Sequence, residues 1–245
     1  MKAKKIILFI FWLLVFVGVV YVVVRAGSVC DQRTCKKYSI KIEVEYPADT
    51  LLYIADIENV ILEHDSIIGK PYNEIDIYTI ESVLKQHPYI SNVAITGDLL
   101  GTLRIAITQR IPIMRVINKL GESFYLDETA QVMPVRSGAS AHVIAVSGNI
   151  DTTKHEWNAL VNCVKYINND TFLKNQIGQI YIEDKDSYHL IPVIGNHLII
   201  FGTPEHPEKR LERLKIFYQK VIDEEGWKTY KSINLKYKNQ IVCKK

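Results

Sequence analysis

Nineteen consecutive residues, Ile6 to Val24, carry no charge, no side-chain amide and no proline, and only Gly18 and Tyr21 depart from plain apolar side chains. A helix rising about 1.5 Å per residue would carry this stretch across roughly 28 Å, close to the hydrocarbon thickness of a bilayer. So many valines disfavour a helix in water. In lipid every backbone amide must bond within the segment, and that requirement outweighs propensity. The stretch is therefore predicted to be a single transmembrane helix, with 25–245 left to fold beside the membrane.

Charge is informative only when divided along the chain. Residues 1–37 hold seven Lys and Arg against the single Asp31, whereas 38–245 hold 23 basic and 26 acidic side chains. The excess is juxtamembrane, a pattern that suits anionic headgroups and argues against a nucleic-acid-binding body. Lys2, Lys4 and Lys5 precede the helix and Arg25, Arg33, Lys36 and Lys37 come after it, so positive charge alone does not orient it. An anchor with so short a leader translocates the chain on its C-terminal side, which gives a cytoplasmic stub (1–5), the membrane helix (6–24), a juxtamembrane linker (25–37) and an extracytoplasmic body. A cleaved signal peptide ending near Ala26-Gly27-Ser28 is the rival, opposed by the length of the apolar run and by Arg25. Lipidation of Cys30 is opposed by Val29 before it. Cys30, Cys35, Cys163 and Cys243 form no CxxC pair and no metal spacing with histidine. Buried or free thiols are expected, with a small Cys30–Cys35 disulfide as the alternative.

Alternation begins with Ile40, Ile42, Val44 and Tyr46 on one face of a strand that Pro47 ends. Asp56 is placed to cap a helix carrying Ile57, Val60, Ile61 and His64. Gly69-Lys70-Pro71 breaks it, and Asp76 caps a second helix with an Ile77, Ile80, Leu84 stripe that stops at His87-Pro88. Strands are expected next at 90–96 and 102–108, with Gly97-Asp98 to Gly101 as the turn. This β-α-α-β-β order predicts a small α+β domain over 38–109. Beyond Gln109-Arg110-Ile111-Pro112 come short strands at 113–117, 123–126 and 143–146, a helix from about Thr153 to Ile167, and strands at 177–183, 188–193 and 197–201. An amphipathic helix over 207–225 turns Leu211, Leu214, Phe217, Tyr218, Val221 and Ile222 inward. A terminal strand alternates Ile233, Leu235 and Tyr237 with Asn234, Lys236 and Lys238, before a turn at Asn239-Gln240 and the segment Ile241-Val242-Cys243. No acidic residue occurs after Glu225, whereas six lysines do. Such a strand is a protected edge or a docking edge.

A search for chemistry finds no nucleophile elbow, no HExxH and no phosphate-cradling glycine loop. His155-Glu156 lacks a second histidine. His64, His87, His197 and His206 read as helix-face, turn and loop residues, Cys163 as a packing residue, and Asp127-Glu128 as turn residues whose neighbouring carboxylates point apart. No catalytic, cofactor-binding or metal-binding residue is assigned, and a non-enzymatic role is expected.

The succession of a short basic N-terminus, one membrane helix, Gly69-Lys70-Pro71, His87-Pro88-Tyr89-Ile90, Gln109-Arg110-Ile111-Pro112, Phe124-Tyr125-Leu126-Asp127, Phe201-Gly202 with Lys209-Arg210-Leu211, and Asn234-Leu235-Lys236-Tyr237-Lys238-Asn239 resembles the FtsQ/DivIB family of cell-division proteins. The resemblance covers nearly the whole chain in order. It implies a bitopic inner-membrane protein with a POTRA domain (38–109) and a β domain with amphipathic helices (110–245). It also implies a divisome scaffold at the septum that binds FtsB and FtsL and links them to the FtsW/FtsI complex, with an FtsK-like recruiter upstream. In the family a strand of FtsB adds to the last long strand, which maps here to Ile233, Leu235, Lys236, Tyr237, Lys238, Asn239 and Ile241. The short stub and the Asn239-Gln240 turn, where the family commonly has glycine, are departures. The competing readings are a membrane-anchored cell-wall enzyme with scattered catalytic residues and a POTRA-type chaperone module.

Overall fold

The computed structural model describes residues 2–31, 34–64, 66–98, 100–151 and 156–245, with the side chains of 2–8, 26–31 and 223 outside the description. A first helix, α1 (Lys2–Asp31), leads the chain. Its side chains from Phe9 to Arg25 are all exposed. Among the described residues no helix is long and apolar enough to cross a membrane. The side chains described on α1 cover only 9–25, so the span expected over 6–24 reaches beyond them.

The chain divides into two compact units, one of 1–43 with 52–109 and one of 44–51 with 110–245. In the first, β1 (Lys37–Glu43) is succeeded by α2 (Ile54–His64), α3 (Ile77–Lys85), β2 (Ile90–Gly97) and β3 (Thr102–Gln109). The sheet order is β1-β3-β2, with β1 parallel and β2 antiparallel to the central β3. Helix spacing does the packing: Ile57 and Ile61 of α2, and Ile80 and Leu84 of α3, are buried one turn apart, and Val93, Ile95, Leu103, Ile105 and Ile107 of the sheet are buried with them. Asp76 caps α3 by accepting from Thr79 N at 2.9 Å, a contact of about 1 kcal/mol. Asp56 departs from its expected role. It lies inside the first turn of α2 and reaches back to accept from Tyr53 N at 2.9 Å, so the helix starts earlier than Asp56 itself. His64, expected on the inward stripe, is exposed.

Two boundaries differ from the sequence reading. The first strand stops at Glu43 because Val44 to Leu51 belongs to the second unit, where Asp49 Oδ1 accepts from His142 N at 2.9 Å. The linker ends earlier than Lys37: Thr34 bridges Pro71, Cys35 N donates to Lys70 O at 2.8 Å, and the Cys35 side chain is fully buried as a free thiol. The alternative of a Cys30–Cys35 disulfide falls on Cys30, whose side chain lies outside the described residues. The β2–β3 turn is built by Asp98, whose Oδ1 accepts from Leu100 N and Thr102 N, both at 2.9 Å. Gly101 has φ +89°, and a Cβ there would meet Thr34 O at 2.9 Å, so glycine is required.

The second unit contains β4 (Pro112–Ile117), β5 (Ser123–Asp127), β6 (Val132–Pro134), β7 (Ile144–Gly148), α4 (Trp157–Asn169), α5 (Thr171–Gln176), β8 (Ile177–Asp184), β9 (Ser187–Pro192), β10 (Leu198–Gly202), α6 (Glu208–Phe217), β11 (Ser232–Asn234) and β12 (Val242–Lys244). Nine strands form one sheet in the order β12-β11-β10-β9-β8-β7-β4-β5-β6. Leu160, Val164 and Ile167 of α4 and Leu211 and Leu214 of α6 join Val116, Val146, Ile180, Leu190 and Phe201 of the sheet in one core. Thr153, the expected start of α4, lies outside the described residues. Asp170 breaks α4 from α5 by capping Phe172 N and Leu173 N, and its other oxygen takes Lys215 Nζ at 2.5 Å. The single helix expected over 207–225 is interrupted: α6 ends at Phe217, a wide π-type turn covers Tyr218–Ile222, and one helical turn, Asp223–Glu225, completes it. That turn leaves both Tyr218 and Ile222 buried, with the Tyr218 hydroxyl 2.6 Å from His197 Nε2. His197 thus lies on the β9–β10 loop as expected, but its side chain is buried.

Candidate functional site

The C-terminal end of the nine-stranded sheet is built on α6. β10 pairs in parallel with β11, and β11 pairs antiparallel with β12, Ile233 opposite Cys243. The strand expected over 233–238 is therefore three residues long and already paired on both sides. Its backbone is diverted after Asn234: Leu235 N donates to Ile200 O at 2.9 Å, and Asn234 Oδ1 accepts from Lys236 N at 3.0 Å, which makes an Asx turn. The sheet edge falls instead to β12, formed by the segment beyond the turn.

The seven residues singled out from the sequence part into two groups. Ile233 and Leu235 are fully buried in the core, and Ile241 packs against it half-buried. Lys236, Tyr237, Lys238 and Asn239 are exposed on the loop between β11 and β12, Tyr237 by 49%. Asn239 takes φ +60°, as the turn at Asn239-Gln240 requires. Exposed Lys231, Lys244 and Lys245 extend the basic surface along the edge, with Val242 exposed among them. Lys245 Nζ lies 3.3 Å from Glu225 and over the Tyr230 ring.

The loop is fixed from inside by Arg213 of α6, a charged residue outside the apolar stripe of that helix. Arg213 Nη1 donates to Tyr237 O at 2.8 Å and to Gln240 O at 3.0 Å, while Nη2 donates to Leu235 O at 3.1 Å. Arg210 donates to Phe201 O and Glu205 O and stacks over the Phe201 ring. Gly202, at φ +90°, brings the backbone close enough that a Cβ would meet Lys236 Cγ at 3.2 Å. Burial lowers the affinity of Arg210 for its proton, but a guanidinium stays charged here.

Elsewhere polar clusters are structural in geometry. His189 Nε2 faces both Glu183 Oε2 (3.0 Å) and Ser187 Oγ (3.3 Å), and its Nδ1 is buried without a partner. A nucleophile–base–acid relay needs the two groups on opposite ring nitrogens. Asp127 is buried at the β5–β6 turn, where Oδ1 accepts from Thr129 N, Thr129 Oγ1 and Gln131 N, and Oδ2 from Arg110. Glu128 beside it is exposed and pairs with Lys165. Burial pushes the Cys163 thiol up to about 12, far from a nucleophile's range. An open cleft of about 460 Å³ carries Asn162, Tyr166, Asn169, Glu205 and His206. Glu205 is held below the usual carboxylate range, first by the Thr203 hydroxyl, so it stays ionised and unsuited to general-acid work. His155 lies outside the described residues. Among those described, no group of three His, Cys, Asp or Glu side chains could hold a metal ion.

A βααββ unit and a nine-stranded mixed sheet ending in a basic edge define a POTRA-bearing protein with a β domain. A POTRA-like domain matches residues 33–108, and FtsQ/DivIB, C-terminal related, matches residues 111–244. The chain belongs to the FtsQ/DivIB family. It is 22% identical over 200 residues to the cell division protein DivIB of Clostridium acetobutylicum, covering 75% of this chain and 80% of that one. It is 25% identical over 188 residues to the cell division protein FtsQ of Rhodothermus marinus, covering 72% and 68%.

Proposed function

We propose that this protein is a non-enzymatic divisome scaffold, anchored by residues 6–24 with its N-terminus in the cytoplasm and its body outside, and concentrated at the division septum. Its terminal surface binds FtsB, with FtsL, and links them to the FtsW/FtsI machinery of septal peptidoglycan synthesis. The observation that carries this reading is the end of the β domain: a three-residue edge strand at the margin of the sheet, beside an exposed loop of Lys236, Tyr237 and Lys238. An edge strand offers main-chain hydrogen bonds, and neighbouring side chains select the partner. The lysines suit an acidic segment and raise its association rate. Ile233 and Leu235, expected from the sequence among the contact residues, support the surface from the core.

The test is capture of the extracytoplasmic region of FtsB by the full chain in detergent. Lys236→Glu and Tyr237→Ala are expected to weaken capture at least tenfold while thermal unfolding is unchanged. Wild-type affinity in both variants would remove these residues from the interface, and a wild type that captures no FtsB would remove the docking role itself.

A further inference from the structure

We infer that Arg213 is a positioning residue that builds the docking loop before any partner arrives. This rests on the docking role proposed above and names the device that prepares it. Residues 235–241 have no ladder of their own, since β11 stops at Asn234 and β12 begins at Val242. A loop of this kind leaves its carbonyls to water and its side chains free to sample many orientations. Here three of its carbonyls, from Leu235, Tyr237 and Gln240, converge on one guanidinium. The fourth contact, Arg213 Nε to Lys209 O at 3.3 Å, ties that side chain to its own helix. Because α6 is seated in the core through Leu211 and Leu214, the clamp transmits the rigidity of the core to the loop.

The consequence for recognition is directional. With the carbonyls of 235, 237 and 240 drawn inward, the side chains of Lys236, Tyr237 and Lys238 stand exposed as one surface next to β12. Lys236 is steered further, because its stem lies against the Cα of Gly202. A partner then meets a surface that is already ordered, and affinity rises without Arg213 touching it. Planar, multiply donating geometry is what the clamp uses, and an ammonium group lacks it.

The test uses the full chain in detergent with Arg213→Lys and Arg213→Ala, alongside Val116→Ala as a core variant in β4, far along the sheet from the loop. Amide hydrogen exchange needs no partner. The amides of Leu235, bonded to Ile200 O, and Lys236, bonded to Asn234 Oδ1, are expected to exchange at least tenfold faster in both Arg213 variants, while β7, β8 and α4 are unchanged; Val116→Ala lowers global stability without singling out these two. Unchanged exchange in this loop would overturn the clamp whatever the partner. With the extracytoplasmic region of FtsB as the probe, both Arg213 variants are expected to bind at least tenfold more weakly and Val116→Ala as tightly as wild type. Faster exchange with unaltered affinity would overturn the link between clamp and docking. If wild type binds no FtsB, the docking role fails and the positioning role fails with it, although the exchange result still judges the clamp.

Discussion

Removing the Asp127 carboxylate tests whether the β5–β6 end of the sheet is held by the contacts described. Four hydrogen bonds end on this group, three at 2.8 Å from Thr129 and Gln131 and one at 2.5 Å from Arg110. Breaking a buried ion pair from one side costs about 3–5 kcal/mol. The Arg110 side chain is 19% exposed and can recover some hydration, so Asp127→Ala is expected near the lower end, about 3 kcal/mol. Asp127→Asn retains an acceptor for the turn amides and loses the charge, for a cost of about 1.5 kcal/mol. Urea titration of the full chain in detergent, monitored by tryptophan fluorescence, reads this directly, because Trp157 packs edge-on against Phe124 of β5. The dependence on pH has a definite sign. Burial opposes ionisation of Asp127, but the hydrogen bonds from Arg110, Gln131 and Thr129 outweigh it and hold the carboxyl below its usual value. The stabilisation is therefore complete above the unfolded value near 4 and disappears as pH falls through the lower folded value. A loss under about 1 kcal/mol for Asp127→Ala, or equal losses for Ala and Asn, would refute the assignment.

Other outcomes rest on single positions. Leu235→Ala should cost about 2–4 kcal/mol in urea titration, whereas Tyr237→Ala stays within about 0.5 kcal/mol, because only the first is buried. Gly148→Ala should lower the melting temperature sharply or prevent folding, since a Cβ at φ +116° would stand 2.1 Å from Ile182 O. Burial lowers the pKa of His197, so the unfolded chain takes up its proton first and stability should decline as pH drops below about 6.5; His197→Gln should flatten that slope in thermal melts at pH 7 and 5. Cys163 should resist a thiol reagent in the folded chain under conditions where Cys243, only partly buried, reacts.

The first unit was legible because its signals are local. Alternation along β1 to β3 and a cap at Asp76 depend on neighbours within a few residues. The features that escaped depend on distant parts of the chain. Nothing in Val44 to Leu51 marks it as part of the second unit, because that membership comes from partners such as His142. The short β6 and the helical turn after Asp170 are too brief to carry a period. At the candidate site, alternation over 233–238 read as a strand because Ile233 and Leu235 do face the core. The strand ends early through Asn234 and through Arg213, 22 residues upstream of Leu235. A run of charges on an amphipathic helix reads as solvated surface, and the carbonyls that Arg210 and Arg213 serve leave no trace in side-chain pattern. The burial of His197 on its loop is illegible for the same reason: it is set by Tyr218, on the interrupted helix.

The central claim is that β12 and the loop before it form a docking edge. Amide exchange across the full chain, with and without the extracytoplasmic region of FtsB, tests it most directly. The account predicts new protection concentrated at Val242, Cys243 and Lys244, with the rest of the sheet unchanged. Binding of FtsB with no added protection there, and protection appearing on other strands, would contradict it.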